Sequence, residues 1–149
     1  MAECPLEISR AVASLLEEDV VSVESGATVS EAVKIMVQKS VRNIFVMSKG
    51  VPTGLIRDWD IVRRVVAPKL NPEMVKVDEI MCAPVASVKA DAELSDIAAV
   101  MAETGARRIL VIEDAKVLGT ITAGSLLNTI SHFPDRSTRE VLRSIAGLK

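Results

Sequence analysis

Two stretches of the chain, GLIRDWDIVRR at residues 54–64 and GTITAGSLLNT at residues 119–129, decide the fold because they share one frame 65 residues apart. Each begins with a glycine and apolar residues and then reaches a polar helix start. At this offset, without a gap, eleven positions of the first copy are identical to their equivalents in the second. They are Val12, Ser22, Val23, Ala27, Ser30, Met36, Arg42, Ile44, Val46, Gly54 and Ile56, aligned in that order with Val77, Ser87, Val88, Ala92, Ser95, Met101, Arg107, Ile109, Val111, Gly119 and Ile121. The chain therefore contains one structural unit twice.

The first copy shows a regular order of secondary-structure signals. A short strand at residues 20–23 leads to an amphipathic helix that begins near Ser30. Two strand-like runs separated by turn residues then form a β-hairpin, and a second helix follows at residues 58–66. The second copy repeats this layout at residues 85–88, Ser95 and 123–130. The pattern predicts two β-α-β-β-α units of the mixed α/β (α+β) class.

The repeat also sets the expected boundaries. Proline and asparagine punctuate the connection between the copies, and Ser137 with Glu140 forms a capping-box pattern after the second copy. We expect an N-terminal helical segment at 1–19, a first motif at 12–66, a linker at 67–76, a second motif at 77–130 and a C-terminal helical extension at 131–149.

The composition limits the classes of function. The 149 residues are 49% hydrophobic but only 2% aromatic, so aliphatic side chains must build the core. A formal charge of −2 argues against a nucleic-acid binder with a broad basic surface. No apolar run is long enough to span a membrane, and the first ten residues do not resemble a signal peptide. We therefore expect a cytoplasmic protein without a membrane partner.

Catalytic and metal-binding residues are scarce. Cys4 and Cys82 stand alone without a CxxC motif, and His132 is the only histidine. These residues do not supply a zinc site or a cysteine–histidine catalytic pair, so the sequence indicates neither an enzyme nor a metalloprotein.

The two copies together resemble a tandem pair of CBS domains, a small regulatory module. The resemblance extends from about Val12 to Ile130 and rests on IMxxP at residues 80–84, the Arg107-Arg108 pair and GTIT at residues 119–122. The stretch IRDWDIVRRVVA is similar to free-standing archaeal members. The resemblance implies two units packed sheet to sheet about a pseudo-twofold axis, with clefts that bind AMP, ATP, NAD or S-adenosylmethionine. It also implies a homodimer through the helices and an unidentified effector protein.

In this family, the glycine frame is followed by Thr or Ser and, three residues later, by Asp. The hydroxyl and the helix start favour a phosphate, and the carboxylate can accept both ribose hydroxyls. The first copy has Arg57 and Asp60 at these positions, whereas the second has Thr122 and Ser125. Each copy has lost one of the two groups, and the retained Asp60 makes the first copy the preferred nucleoside site. The same pattern also fits an ordinary helix cap.

The sequence allows two roles for the Arg57 side chain. Its guanidinium is a charged fork suited to phosphate. Its length also allows it to fill the cleft or to pair with Asp58 or Asp60. Trp59, just inside the helix, either stacks on a base or belongs to a protein interface.

The remaining candidates surround these positions. The resemblance places a basic phosphate contact at Arg42 and at Arg107 with Arg108, for which a solvated arginine or a salt bridge is the alternative. The other predicted contacts are Asn43 and Ile44 beside Arg42. The resemblance also places Val21, Ser22, Ala86 and Ser87 along the wall that faces the base, and an ordinary core strand is the alternative for these residues.

Two functions remain open from the sequence. The first is a sensor that binds an adenosine-type ligand and changes how the module sits against a partner or a second copy. The second is a dimerisation or scaffold module with degenerate clefts. Arg136, Arg139 and Arg143 lie in the C-terminal segment and could bind DNA. A solvated helix face is the preferred interpretation of these charges.

Overall fold

The computed structural model describes residues 8–130 of the chain. These residues form mixed α/β structure with two three-stranded sheets, which confirms the predicted fold class. The predictions for Cys4, His132 and the C-terminal helix lie outside the described residues.

The elements follow the predicted duplicated order, with an additional short helix at the start of each motif. In chain order they are α1 (Arg10–Leu15), β1 (Ser22–Glu24), α2 (Val29–Lys39), β2 (Asn43–Ser48), β3 (Val51–Arg57), α3 (Asp58–Ile61), a π-helical segment (Val62–Val66), α4 (Val77–Ile80), β4 (Ser87–Val88), α5 (Leu94–Thr104), β5 (Arg108–Glu113), β6 (Lys116–Thr122) and α6 (Ala123–Ile130).

Both sheets have the same topology. In each sheet the first strand runs parallel to the central strand, and the hairpin partner lies antiparallel on the other side, in the orders β1-β2-β3 and β4-β5-β6. Each hairpin shifts register once, after Val46 in β2 and after Val111 in β5. These two positions are repeat equivalents, so the duplication extends to the irregularities of the sheets.

The ends of the elements differ slightly from the sequence prediction. Helix α2 begins one residue before Ser30 because Thr28 caps it: the Glu31 N–H donates to Thr28 Oγ1 at 3.2 Å, and the Thr28 N–H donates to Glu31 Oε2 at 2.8 Å. Strand β1 begins at Ser22, two residues later than predicted, although the Val21 carbonyl still accepts the Phe45 N–H at 3.0 Å.

The compact units exchange segments relative to the sequence repeats. One unit consists of residues 20–85, and the other combines the residues before 20 with those from 86 onward. Val12 and Leu15 of α1 are buried in the core that contains the second copy's strands. Their repeat equivalents, Val77 and Ile80 of α4, are buried in the core that contains the first copy's strands. The short helix at the start of each motif therefore stabilises the sheet of the other motif.

The glycines of the repeated frame allow these helices and their flanking residues to approach the sheets. Glu17 pairs with Thr120 through two backbone hydrogen bonds of 2.8 Å, and Cys82 pairs with Leu55 through bonds of 2.8 and 3.0 Å. A Cβ atom on Gly119 would meet the backbone of Glu17, whereas one on Gly54 would meet the side chain of Met81. Both glycines allow close packing, Gly119 against backbone atoms and Gly54 against side-chain atoms.

Gly119→Ala is expected to destabilise the protein more than Gly54→Ala. The Glu17 backbone is fixed by its bonds to Thr120. At Gly54, by contrast, the Sδ and Cγ atoms of Met81 can rotate away, and only the Met81 Cβ atom must shift with its backbone. We expect a loss of about 1–3 kcal/mol of unfolding free energy for Gly119→Ala, as for overpacked cores, and a smaller loss for Gly54→Ala. Urea denaturation of both variants measures the difference, and equal losses would contradict this explanation.

Candidate functional site

The start of the second helix in each copy gathers several predicted site residues. Arg57, the last residue of β3, lies opposite Asn43 in the hairpin register. The Asp58 N–H then donates to the Arg42 carbonyl at 2.9 Å, which joins the helix start to the beginning of β2. The backbone thus brings Arg42, Asn43, Arg57 and Asp60 into one corner of the first-copy unit.

Asp60 is the central residue of this corner. Its side chain is 0% exposed, and Arg57 holds both carboxylate oxygens. Arg57 Nε donates to Oδ2 at 2.9 Å, Nη2 donates to Oδ1 at 3.0 Å, and the Arg57 backbone N–H donates to Oδ2 at 3.0 Å. Arg63 Nη2 adds a longer ion-pair contact to Oδ1 at 3.8 Å. Asp60 therefore makes a forked ion pair and caps the helix at the same time.

The ion pair shifts the pKa values of both partners. Burial of Asp60 acts to raise its pKa, but the hydrogen bonds and the positive charge of Arg57 outweigh it, so the pKa lies below its ordinary value. The hydrogen bond to Asp60 raises the pKa of Arg57 further above the physiological range. The pair is thus fully ionised at neutral pH.

Asp58 makes a separate ion pair on the surface. Arg42 Nε donates to Asp58 Oδ2 at 2.8 Å, and the Arg42 side chain remains 87% exposed. The hydrogen bond from Arg42 holds the pKa of Asp58 below its usual value. The Trp59 N–H donates to Asp58 Oδ1 at 2.8 Å, and Trp59 itself is 62% exposed. Arg42 therefore already has an acidic partner, and its role in phosphate binding stays a prediction.

The second-copy corner has only neutral polar groups at the two motif positions. The Ser125 N–H donates to Thr122 Oγ1 at 3.0 Å, and Ser125 Oγ donates to the Thr122 carbonyl at 2.9 Å. The two hydroxyl oxygens are 3.0 Å apart. Thr122 and Ser125 thus form a local helix cap in which hydroxyls take the positions of the first copy's ion pair.

Arg107 lies just before β5 and Arg108 is the first residue of β5, and the two arginines have different surroundings. Arg107 is exposed and makes no ion pair with any residue between 8 and 130, while its carbonyl accepts the Ala123 N–H at 2.8 Å. Arg108 Nη1 lies 3.1 Å from Thr120 Oγ1 and 3.4 Å from Glu17 Oε2. Arg108 therefore helps to hold the segment that follows α1, and Arg107 is the less engaged cation.

The predicted base-side residues lie along the first strands. Ser22 and Ser87 are exposed in β1 and β4, opposite Phe45 and Leu110. The carbonyl of Ala86 accepts the Leu110 N–H at 3.0 Å, just as Val21 bonds Phe45. Ile44, by contrast, is 0% exposed within the apolar core of its unit. The serines are accessible, whereas the Ile44 side chain is part of the core.

The family assignment follows from the duplicated units. The family model of the CBS domain matches residues 12–67 and 77–132. The chain belongs to the CBS-domain family. A tandem CBS pair is a regulatory module, and such modules often bind ligands.

Relatives of this chain differ in how much of their own length corresponds to it. The CBS domain-containing protein YhcV of Bacillus subtilis is 26% identical over 135 residues, covering 91% of this chain and 94% of YhcV. An uncharacterised protein of Methanopyrus kandleri is 28% identical over 121 residues, covering 80% of this chain and 62% of the relative. A homoserine O-acetyltransferase of Methanohalophilus mahii is 28% identical over 129 residues, covering 86% of this chain and 25% of the enzyme. The chain spans less than two thirds of the last two relatives.

Solved CBS structures share the fold. A conserved CBS domain protein of unknown function from Thermoplasma acidophilum has a TM-score of 0.72 at 27% identity, covering 91% of this chain and 76% of that protein. A hexameric CBS-CP12 protein from bloom-forming cyanobacteria has a TM-score of 0.70 at 30% identity, covering 81% of this chain and 72% of that protein.

The CBS pair contains two contacts at Asp60 that the motif comparison did not predict. Cys82 Sγ lies 3.8 Å from each carboxylate oxygen and 3.5 Å from Arg57 Nη2, and Arg63 approaches from the following helical turn. Cys82 is the repeat equivalent of Glu17, and each pairs with the third strand of its unit, but that pairing is visible only in the structure.

Between residues 8 and 130, no group of three or more His, Cys, Asp and Glu side chains is placed to hold a metal ion. In the same range, no helix has both the length and the apolar character required to cross a bilayer.

Proposed function

We propose that this CBS pair is a regulatory module that binds an adenosine-containing ligand, namely AMP, ATP, NAD or S-adenosylmethionine. The observation that carries the proposal is Asp60, a buried carboxylate at the helix start where similar modules hold the ribose. A carboxylate there can accept both hydroxyls of a ribose diol, and charge-assisted hydrogen bonds of this kind are strong. The proposed role is regulatory and not catalytic.

The surroundings of Asp60 support a nucleotide in the first copy. Arg57 and Arg42 supply cations for phosphate, and the exposed Ser22 supplies a polar group on the strand side. The second copy keeps Thr122 and the exposed Arg107 but has Ser125 in place of a carboxylate. A single hydroxyl binds a diol more weakly than a carboxylate does. We therefore propose the first copy as the stronger nucleoside site.

The exposed apolar residues of the first-copy unit support a homodimer through its helices. Val37 of α2 is 73% exposed, and Val66 of the π-helical segment is 62% exposed. A cavity of about 370 Å³ at Val37 is lined by Val33, Met36, Val37, Ser40, Val41, Arg42, Asp58 and Ile61. Exposed apolar surface of this kind is typical of protein interfaces. Ligand binding would then act on the dimer or on an effector protein through unequal affinity for two arrangements.

A scaffold module without a ligand is the second candidate function. It is favoured by the forked bond between Arg57 and Asp60, which occupies the carboxylate from within the chain. It is also favoured by the closed hydrogen bonding of Thr122 and Ser125. In this alternative, the apolar helix surface alone provides the function.

Isothermal titration with AMP, ATP, NAD and S-adenosylmethionine distinguishes the two candidates. We expect saturable binding of at least one ligand, and a loss of at least tenfold in affinity for Asp60→Ala because the diol acceptor is removed, which corresponds to about 1.4 kcal/mol or more. The matched control is Glu103→Ala, which removes an exposed carboxylate of α5. If none of the four ligands gives heat or raises the melting temperature, the scaffold function stands and the sensor function is rejected.

A further inference from the structure

The forked bond from Arg57 blocks the diol acceptor of the first copy. Both oxygens of Asp60 are within 3.0 Å of a guanidinium nitrogen, and the carboxylate has no exposed surface. A ribose diol therefore reaches Asp60 only after the Arg57 guanidinium has moved away. The Arg57 side chain is 48% exposed, so it has room on the solvent side to rotate.

The acid next to Arg57 in the chain is not free to accept a displaced guanidinium. Asp58, the next acid along the chain, is already bound by Arg42 at 2.8 Å. Asp60 also retains a second cation, Arg63, at 3.8 Å, and Arg64 lowers its pKa through its charge. The group of Arg57, Asp60, Arg63 and Arg64 therefore carries more positive than negative charge. With Asp58 already paired, a ligand that carries an anionic group can supply the counter-charge for Arg57.

We propose that Arg57 makes the first-copy site selective for phosphorylated nucleosides. The ribose diol replaces the guanidinium on Asp60, and the released guanidinium binds a phosphate oxygen pair with the same forked geometry. A nucleoside without phosphate breaks one charge-assisted pair and leaves Arg57 without an anionic partner. The site therefore favours nucleotides such as AMP over adenosine, which carries no anionic group. This inference rests on the proposed ligand-binding function.

The test compares AMP with adenosine on the wild-type protein and on Arg57→Thr. In the wild type we expect AMP to bind at least tenfold more tightly than adenosine. Arg57→Thr frees Asp60 and removes the phosphate partner, so adenosine should bind about tenfold more tightly than before and the preference for AMP should shrink. Arg57→Lys keeps the charge but not the fork, and we expect it to retain part of the preference. Lys34→Thr, which removes an exposed cation of α2, should leave the preference unchanged.

Each other outcome rejects a distinct part of the argument. Equal binding of AMP and adenosine to the wild type, or the same preference in Arg57→Thr, rejects the selective role of Arg57 while the sensor function stands. Adenosine binding to Arg57→Thr with no binding of AMP to the wild type shows that Arg57 blocks the site and does not select. Failure of both proteins, folded by circular dichroism, to bind either compound rejects the sensor function together with this inference.

Discussion

Leu15→Ala is expected to lower the free energy of unfolding by about 2–5 kcal/mol, the usual cost of removing a buried leucine side chain from a packed core. Leu15 is 1% exposed although it belongs to a six-residue helix near the beginning of the chain. It packs in one core cluster with Val88, Ile109 and Ile121 of the second copy. A short helix that contributed only local structure would not give an effect of this size.

The repeat supplies a matched variant for the other unit. Ile80 is the repeat equivalent of Leu15, is 3% exposed and packs in one cluster with Ile44 and Ile56 of the first copy. Ile80→Ala should therefore cost a similar amount. The two variants should change the amide chemical shifts of different sheets: β4 to β6 for Leu15→Ala, and β1 to β3 for Ile80→Ala.

Ser14→Ala is the control on the same helix as Leu15. Ser14 is exposed, and its hydroxyl donates to the Ala11 carbonyl at 2.9 Å, so the change should stay within about 0.5 kcal/mol. Urea denaturation followed by far-ultraviolet circular dichroism measures all three variants. A cost for Leu15→Ala as small as that of Ser14→Ala, or shift changes confined to the first copy's sheet, would contradict the segment exchange.

Most of the fold could be predicted because it depends on local patterns that occur twice. The glycine frame and the hairpin turn residues predicted β2, β3, β5 and β6, and the apolar spacing predicted α2 and α5. The segment exchange could not be predicted in this way. The identity of Val12 with Val77 aligns the two short helices, but periodicity shows only that a helix has an apolar side, not which sheet covers that side.

In the candidate site, too, the sequence predicted which residues lie there but not which partners they bind. The repeat comparison identified four motif positions, of which Asp60 and Thr122 keep the family's pattern and Arg57 and Ser125 depart from it. The structure places each pair at a helix start. The sequence left open whether Arg57 pairs with Asp58 or Asp60. Both acids are within reach of a long side chain, and the choice depends on the bond between Asp58 and Arg42, which comes from hairpin register. The selective role of Arg57 stays a prediction.

Arg57→Glu is expected to destabilise the protein by about 2–4 kcal/mol at pH 7. The change removes the forked partner of a fully buried carboxylate and places a like charge beside it. Removing one partner of a buried ion pair usually costs about 3–5 kcal/mol, and the half-exposed Arg57 side chain reduces this value because water can partly replace it. The matched control is Arg10→Glu, which makes the same change at an exposed position of α1.

The pH dependence of this variant identifies Asp60 as the cause. In the wild type the pKa of Asp60 is lowered, so its stabilising contribution is present above the unfolded-state value of about 3.9 and is lost as the pH falls through the lower folded-state value. In Arg57→Glu, burial and the neighbouring carboxylate should instead raise the pKa of Asp60. The stability deficit should therefore shrink as the pH falls from 7 towards 4, because Asp60 takes up a proton.

Urea denaturation across this range measures the deficit, and the double variant Arg57→Glu/Asp60→Asn should lose most of its pH dependence. A deficit that is constant with pH would mean that Arg57 stabilises the corner by packing and not by its charge.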